Sequence, residues 1–138
     1  MGLEVGLLAG RGQDSLQTDI GLLAKSDLVV ATAERWEWLS RKFAQRKQVL
    51  AVGLYVIDSV HLLGHPRFGA RLEMLMSRIN SIRETAGESP RVVAISCPMA
   101  NAKDLCEVLQ VKFSDCCFNF HPSTRASCPS IGPLQVSI

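Results

Sequence analysis

Apolar and polar positions along the chain follow two rhythms, one of period two and one of period three to four. Leu3 to Leu8 is a short apolar run with β-branched content, broken by Gly10-Arg11-Gly12 and Gln13-Asp14, which predicts a strand and then a loop. Ser15 is placed to cap a helix running to about Lys25, with Leu16, Ile20 and Leu23 on one face. Leu28-Val29-Val30-Ala31 reads as a second strand ending at Thr32. From Glu34 to Lys47, Trp36, Leu39 and Phe43 recur at helical spacing while Arg35, Glu37, Arg41 and Lys42 face outward. Trp36 is read there as a core anchor, and Arg46-Lys47 complements the negative end of that helix's dipole. Val49 to Ile57 is nearly all apolar, which predicts a strand covered on both faces.

A second long helix is predicted from Ala70 to Ala86, with Leu72, Leu75, Met76, Ile79 and Ile82 inward, stopped by Gly87-Glu88-Ser89-Pro90. Val92 to Ile95 is a fourth buried strand ending at Ser96, followed by a helix from about Asn101 to Leu109 and a short fifth strand from Cys116 to Phe120. Beyond His121 the prolines and serines read as an extended linker, with Leu134 to Ile138 as a last edge strand. Strands alternating with helices predict an α/β fold with a mostly parallel sheet flanked by helices.

Composition narrows the class without choosing a function. The 138 residues suit one domain, and 47% apolar with 20% charged residues excludes wholesale disorder. A net charge of +2 is too small to imply nucleic-acid binding by bulk electrostatics. No apolar run is long enough to span a bilayer, and Met1-Gly2-Leu3-Glu4-Val5 lacks the features of a signal peptide, so an intracellular chain is expected. Five cysteines, an odd number with no C-x-x-C pair, argue against a disulfide framework and a zinc site. Cys97, Cys106, Cys116 and Cys117 are expected to be small core residues.

Three strand ends carry polar side chains: Thr32, Asp58 with His61, and Ser96. In a parallel sheet such ends share one rim, where ligands bind. A carboxylate there can hold Mg²⁺, usually through water, beside the phosphates of a nucleotide. Ser59 follows Asp58 where a nucleotide hydrolase needs a second carboxylate.

The order of these segments resembles the first RecA-like domain of Ski-like DExH-box RNA helicases. Thr32-Ala33-Glu34-Arg35-Trp36-Glu37 is similar to the family's T-P-E-K-W-D, and Asp58-Ser59-Val60-His61-Leu62-Leu63-Gly64 to its D-E-V-H-L-I-G. Ile95-Ser96-Cys97-Pro98-Met99-Ala100-Asn101-Ala102-Lys103-Asp104-Leu105 resembles L-S-A-T-L-x-N-A-K-D-L. Phe118-Asn119-Phe120-His121-Pro122-Ser123-Thr124-Arg125 resembles F-N-F-x-P-S-x-R. The wording is nearest the two-cassette spliceosomal branch, whose second cassette carries weakened motifs, with the activating-signal cointegrator branch next.

The resemblance implies a partial RecA-like domain, of the P-loop NTPase type, over residues 1–121 and a linker over 122–138. It assigns catalytic roles to Asp58, His61 and Ser96, with Ser59 as the degenerate position. Asp58 becomes the cofactor contact, holding Mg²⁺ through water only when a nucleotide binds. Thr32 and Arg35 become contacts to the nucleic-acid backbone. The implied cofactors are ATP and Mg²⁺, not expected to bind this chain alone, because the phosphate-cradling G-x-x-x-x-G-K-[ST] is absent and would lie before Met1. Cys97-Pro98 stands where the family has Ala-Thr, and proline removes a backbone donor. The implied partners are RNA and spliceosomal or other RNA-processing proteins, and the implied compartment is the nucleus. The expectation is a fragment or degenerate copy of a superfamily-two RNA helicase ATP-binding domain, without ATPase or unwinding activity of its own. The alternative is a non-catalytic protein-interaction module.

Overall fold

The structure is a computed structural model that describes residues 2–9, 16–121 and 124. The predicted Ser15 cap, the tail from Pro122 apart from Thr124, and the edge strand at Leu134 to Ile138 lie outside the described residues. The elements run β1 (Val5–Leu8), α1 (Leu16–Lys25), β2 (Leu28–Ala31), α2 (Ala33–Ser40), α3 (Lys47–Leu50), β3 (Leu54–Ile57), α4 (Gly69–Thr85), β4 (Arg91–Ala94), α5 (Ala102–Val108) and α6 (Phe113–Cys116). Short 3₁₀ turns at Phe43–Gln45 and Val60–Gly64 connect them.

The strands pair as parallel neighbours, as the β-α-β alternation requires. Val5 lies opposite Leu28 and Leu8 opposite Ala31; Leu54 lies opposite Arg91 and Ile57 opposite Ala94. They form two separate two-stranded sheets rather than one continuous sheet. Strand pleating sends alternate side chains to opposite faces, and among the described residues only one face is covered. Leu8, Tyr55 and Ile57 join a single core with Leu39, Val49, Val60, Met76, Ile79 and Ile82. The other face stays open: Leu54 and Val56 are 53% and 58% exposed. The expectations that β3 is covered on both faces and that β4 is buried are therefore corrected. Apolar runs signal burial capacity, and no described element packs over that second face.

Helix α4 follows its sequence periodicity closely, with Leu72, Leu75, Met76, Ile79 and Ile82 buried. The single helix expected from Glu34 to Lys47 is broken instead. Ser40 Oγ bonds back to the Glu37 carbonyl at 3.2 Å, and the Arg46 guanidinium donates to the Leu39 carbonyl, so side chains take over acceptors at the end of α2. The chain then turns through α3, which carries Val49 to 0% exposure in the core, so the first residues of the expected third strand are helical. The expected fifth strand is also corrected. Cys116 N and Cys117 N donate to the Lys112 and Phe113 carbonyls in a helical turn, and Phe118 and Phe120 stand 74% and 75% exposed with no neighbouring strand among the described residues. Of the cysteines expected in the core, Cys106 is buried, Cys117 is intermediate, and Cys97 and Cys116 are exposed.

Trp36 is the core anchor that its spacing predicted, meeting Tyr55 edge to face at a centroid distance of 5.5 Å. The Tyr55 hydroxyl is buried without a hydrogen-bond partner, and burial pushes its pKa well above the ordinary tyrosine value. An unsatisfied buried hydroxyl costs about 1–3 kcal/mol, so Tyr55→Phe is expected to keep or raise stability, by up to about 1 kcal/mol. Because the folded-state pKa is raised, the unfolded chain loses its proton first, and stability contributed by neutral Tyr55 falls as pH rises above about 10. Urea unfolding across alkaline pH checks both points, since Tyr55→Phe flattens that decline.

Candidate functional site

The rim forms where β3 and β4 end side by side. Ile95 N donates to the Ile57 carbonyl at 2.8 Å, and Val60 N donates to the Ile95 carbonyl at 3.0 Å. These bonds hold Asp58, His61 and Ser96 at one end of the paired strands, as the sequence placed them. Asp58 is exposed and Ser59 half-buried. Ser59 occupies the left-handed region at φ 60°, ψ 39°, a conformation that costs a non-glycine residue roughly 1–2 kcal/mol. It turns the chain sharply so that Val60 enters the core at 0% exposure. His61 accepts a long hydrogen bond from Cys97 N at Nδ1, 3.4 Å, and so links the loop after β3 to the loop after β4. Ser96 Oγ donates to the Cys97 carbonyl at 2.7 Å.

A cavity of about 290 Å³ opens beside this rim. Asp58 and Ser59 form one wall, Ala33 and Glu34 from the start of α2 another, and Arg67, Phe68 and Arg71 the third. Glu34 and Arg71 form an ion pair across it. His65 and Phe68 stack at 5.0 Å, and the Arg67 guanidinium lies 5.6 Å from the Phe68 ring. Arg67 and Arg71 were absent from the residues that sequence motifs singled out. Their signal was available in two arginines flanking the Phe68-Gly69 start of a helix, but Arg67 precedes the predicted helix and periodicity files Arg71 as a solvated position.

Thr32 and Arg35, paired by the sequence as nucleic-acid contacts, part company. Thr32 N donates to the Leu8 carbonyl at 3.2 Å, fixing the end of β2 beside β1. Its hydroxyl accepts from Arg35 N at 3.3 Å, which makes it the N-cap of α2. The residue is exposed, and the hydroxyl hydrogen remains available to donate outward. The Arg35 side chain turns inward, meeting Asp19 at 2.8 Å with only 11% of itself exposed, and lies 5.1 Å from the Trp38 ring.

With this geometry in place, comparison with known proteins is decisive. The profile of the DEAD/DEAH box helicases matches residues 1–105. The chain belongs to the DEAD/DEAH box helicase family. Activating signal cointegrator 1 complex subunit 3 of Rattus norvegicus is 40% identical over 120 residues, covering 87% of this chain and 5% of that protein. The U5 small nuclear ribonucleoprotein 200 kDa helicase of Homo sapiens is 40% identical over 108 residues, covering 78% of this chain and 5% of the relative. A DExH-box ATP-dependent RNA helicase of Arabidopsis thaliana is 39% identical over 121 residues, again 87% and 5%. The chain thus spans about a twentieth of the length of these relatives. Its parallel strand pairs flanked by helices are those of a RecA-like helicase domain.

Helicases of this family depend on ATP, which enters such sites with Mg²⁺. The rim offers that pair little. Asp58 can meet a hydrated Mg²⁺ through one carboxylate, but Glu34, the other acid of the cavity, is paired with Arg71. Among the described residues no group of three His, Cys, Asp or Glu side chains gathers to hold a metal ion. The set does not fit a Mg²⁺-nucleotide complex by itself. Also among the described residues, no helix is long and apolar enough to cross a membrane.

Proposed function

We propose that this chain is a degenerate copy of a helicase ATP-binding domain, carrying out neither ATP hydrolysis nor unwinding on its own. Ser59 carries this reading. It stands beside Asp58 at the hydrolysis motif, where the family has a glutamate, and a serine hydroxyl cannot act as base near neutral pH. Losing a positioned general base typically lowers rate by about 10²–10⁴-fold. Phosphoryl transfer rests on positioning and charge stabilisation, and Ser59 brings no second carboxylate beside Asp58 to position the attacking water. The exposed Thr32 turn keeps a motif element suited to a phosphate backbone, so RNA contact is weak, sequence-independent and salt-sensitive. The relatives' names support RNA-processing proteins, spliceosomal ones among them, as partners and the nucleus as compartment.

Thermal melting with and without MgATP tests the reading. A ligand present at 100 times its Kd stabilises by about 2.7 kcal/mol, so any useful nucleotide site gives a clear shift. No shift is expected at millimolar MgATP. A shift that vanishes in Asp58→Ala contradicts the proposal.

A further inference from the structure

Cys106, Cys116 and Cys117 come together where the chain turns from α5 into α6. Helix α5 ends at Val108, Gln110 takes a left-handed φ of 54°, and Val111 N donates to the Cys106 carbonyl at 2.9 Å. That reversal lays α6 back against α5. Helix α4 fixes the turn, since Asn80 Nδ2 donates to the Val108 carbonyl at 2.8 Å and the Arg83 guanidinium to the Leu109 carbonyl at 2.9 Å. Cys106 is buried at 8% exposure, while Cys116 ends α6 and Cys117 caps it, its N–H on the Phe113 carbonyl at 3.2 Å. All three are free thiols. The Cys117 thiol lies within hydrogen-bonding reach of the Cys106 thiol, whereas Cys116 acts on it by charge alone. None of the three lines the cavity at the rim.

We propose that Cys106 and Cys117 form a reversible dithiol pair, closed to a disulfide by hydrogen peroxide and reopened by a small thiol. The bond lies within one helical turn-back, so it does not depend on what covers the surface of the domain. Burial first, then the neighbouring thiols of Cys117 and Cys116, hold the Cys106 thiol above its ordinary value. Cys106 therefore stays protonated and resolves, while the half-buried Cys117 attacks. The Cys117 thiolate breaks the peroxide O–O bond, releasing hydroxide and leaving a sulfenic acid. The Cys106 sulfur then attacks the sulfenic sulfur, the S–O bond breaks, and the oxygen leaves as water with the Cys106 proton. In all, two thiols lose two electrons and two protons, and the peroxide becomes two waters. Thiol–disulfide exchange reverses the step, oxidising two molecules of the small thiol to their own disulfide. In a reducing compartment the pair rests as thiols and closes only under oxidant. Closure ties the chain leaving α6, and with it Phe118-Asn119-Phe120, to a buried helix.

Peroxide titration of the full 138-residue chain tests this, followed by alkylation, trypsin and mass spectrometry without reductant. Trypsin cuts after Lys103, Lys112 and Arg125, which puts Cys106 on peptide 104–112 and both Cys116 and Cys117 on peptide 113–125. The two peptides are expected to be joined, two hydrogens lighter than their sum, and to separate in dithiothreitol. Cys117→Ser is expected to lower the yield at least about tenfold, and Cys116→Ser to leave it within about twofold. In urea the preference is expected to vanish, with Cys97 and Cys128 pairing as readily. Thiols that pass to sulfinic acid without joining overturn the proposal. So does a bond confined to peptide 113–125, the mark of a Cys116–Cys117 disulfide. Joining that survives Cys117→Ser, or that is as frequent in urea, overturns it as well.

Discussion

Gly69→Ala is expected to cost about 1–3 kcal/mol, the range for overpacking a filled site, with the clash seen here favouring the upper end. Gly69 opens α4, is buried, and donates its N–H to the His65 carbonyl at 2.8 Å. A Cβ at this position collides with the Leu63 carbonyl oxygen and lies 3.0 Å from its carbon. Those atoms are backbone, so no rotamer change relieves the contact. The 3₁₀ turn Val60–Gly64 has to shift, and with it Val60, which fills the core beneath the rim. Urea unfolding measures the loss. Gly64→Ala is the control: it has nothing within 4 Å of its Cβ position and is expected to stay within about 0.5 kcal/mol of wild type.

Arg35→Ala is expected to be the costliest substitution, at about 3–5 kcal/mol, the range for leaving one member of a buried ion pair without its partner. Asp19 is 5% exposed and faces the Arg35 guanidinium at 2.8 Å, joining α1 to the first turn of α2. Removing the arginine strands a carboxylate away from water. Adding Asp19→Leu to the same variant is expected to recover most of the loss, which a double-mutant cycle reads directly. RNA affinity separates the structural role from the motif's implied one. Arg35→Ala changes it only as far as the folded fraction changes, whereas Thr32→Ala lowers it in a chain that remains folded. A loss of RNA binding by folded Arg35→Ala reverses that assignment.

Much of this was legible in the residues. Helix α4 repeats apolar positions at three and four over about three turns, and all five expected core residues are buried. The strand ends at Thr32, Asp58 and Ser96 were readable because apolar runs stop abruptly at polar residues. What failed was decided by partners that a linear pattern does not contain. Leu39 and Phe43 keep helical spacing across the break after Ser40, yet Arg46 reaches back to the Leu39 carbonyl and ends the helix. Phe118-Asn119-Phe120 alternates like a strand, but no strand of the described residues lies beside it. Arg35 matches a nucleic-acid motif by position, and only the folded contact with Asp19 shows its charge already engaged. The arginines of the cavity, Arg67 and Arg71, became visible only when α4 was seen to start against the Thr32 turn.

Ser59 beside Asp58 carries the proposed absence of ATP hydrolysis. Steady-state phosphate release from MgATP, with single-stranded RNA present, tests it most directly. The full chain is expected to release phosphate at the background rate, and Asp58→Ala to be indistinguishable from it. Turnover above background that disappears in Asp58→Ala contradicts the account.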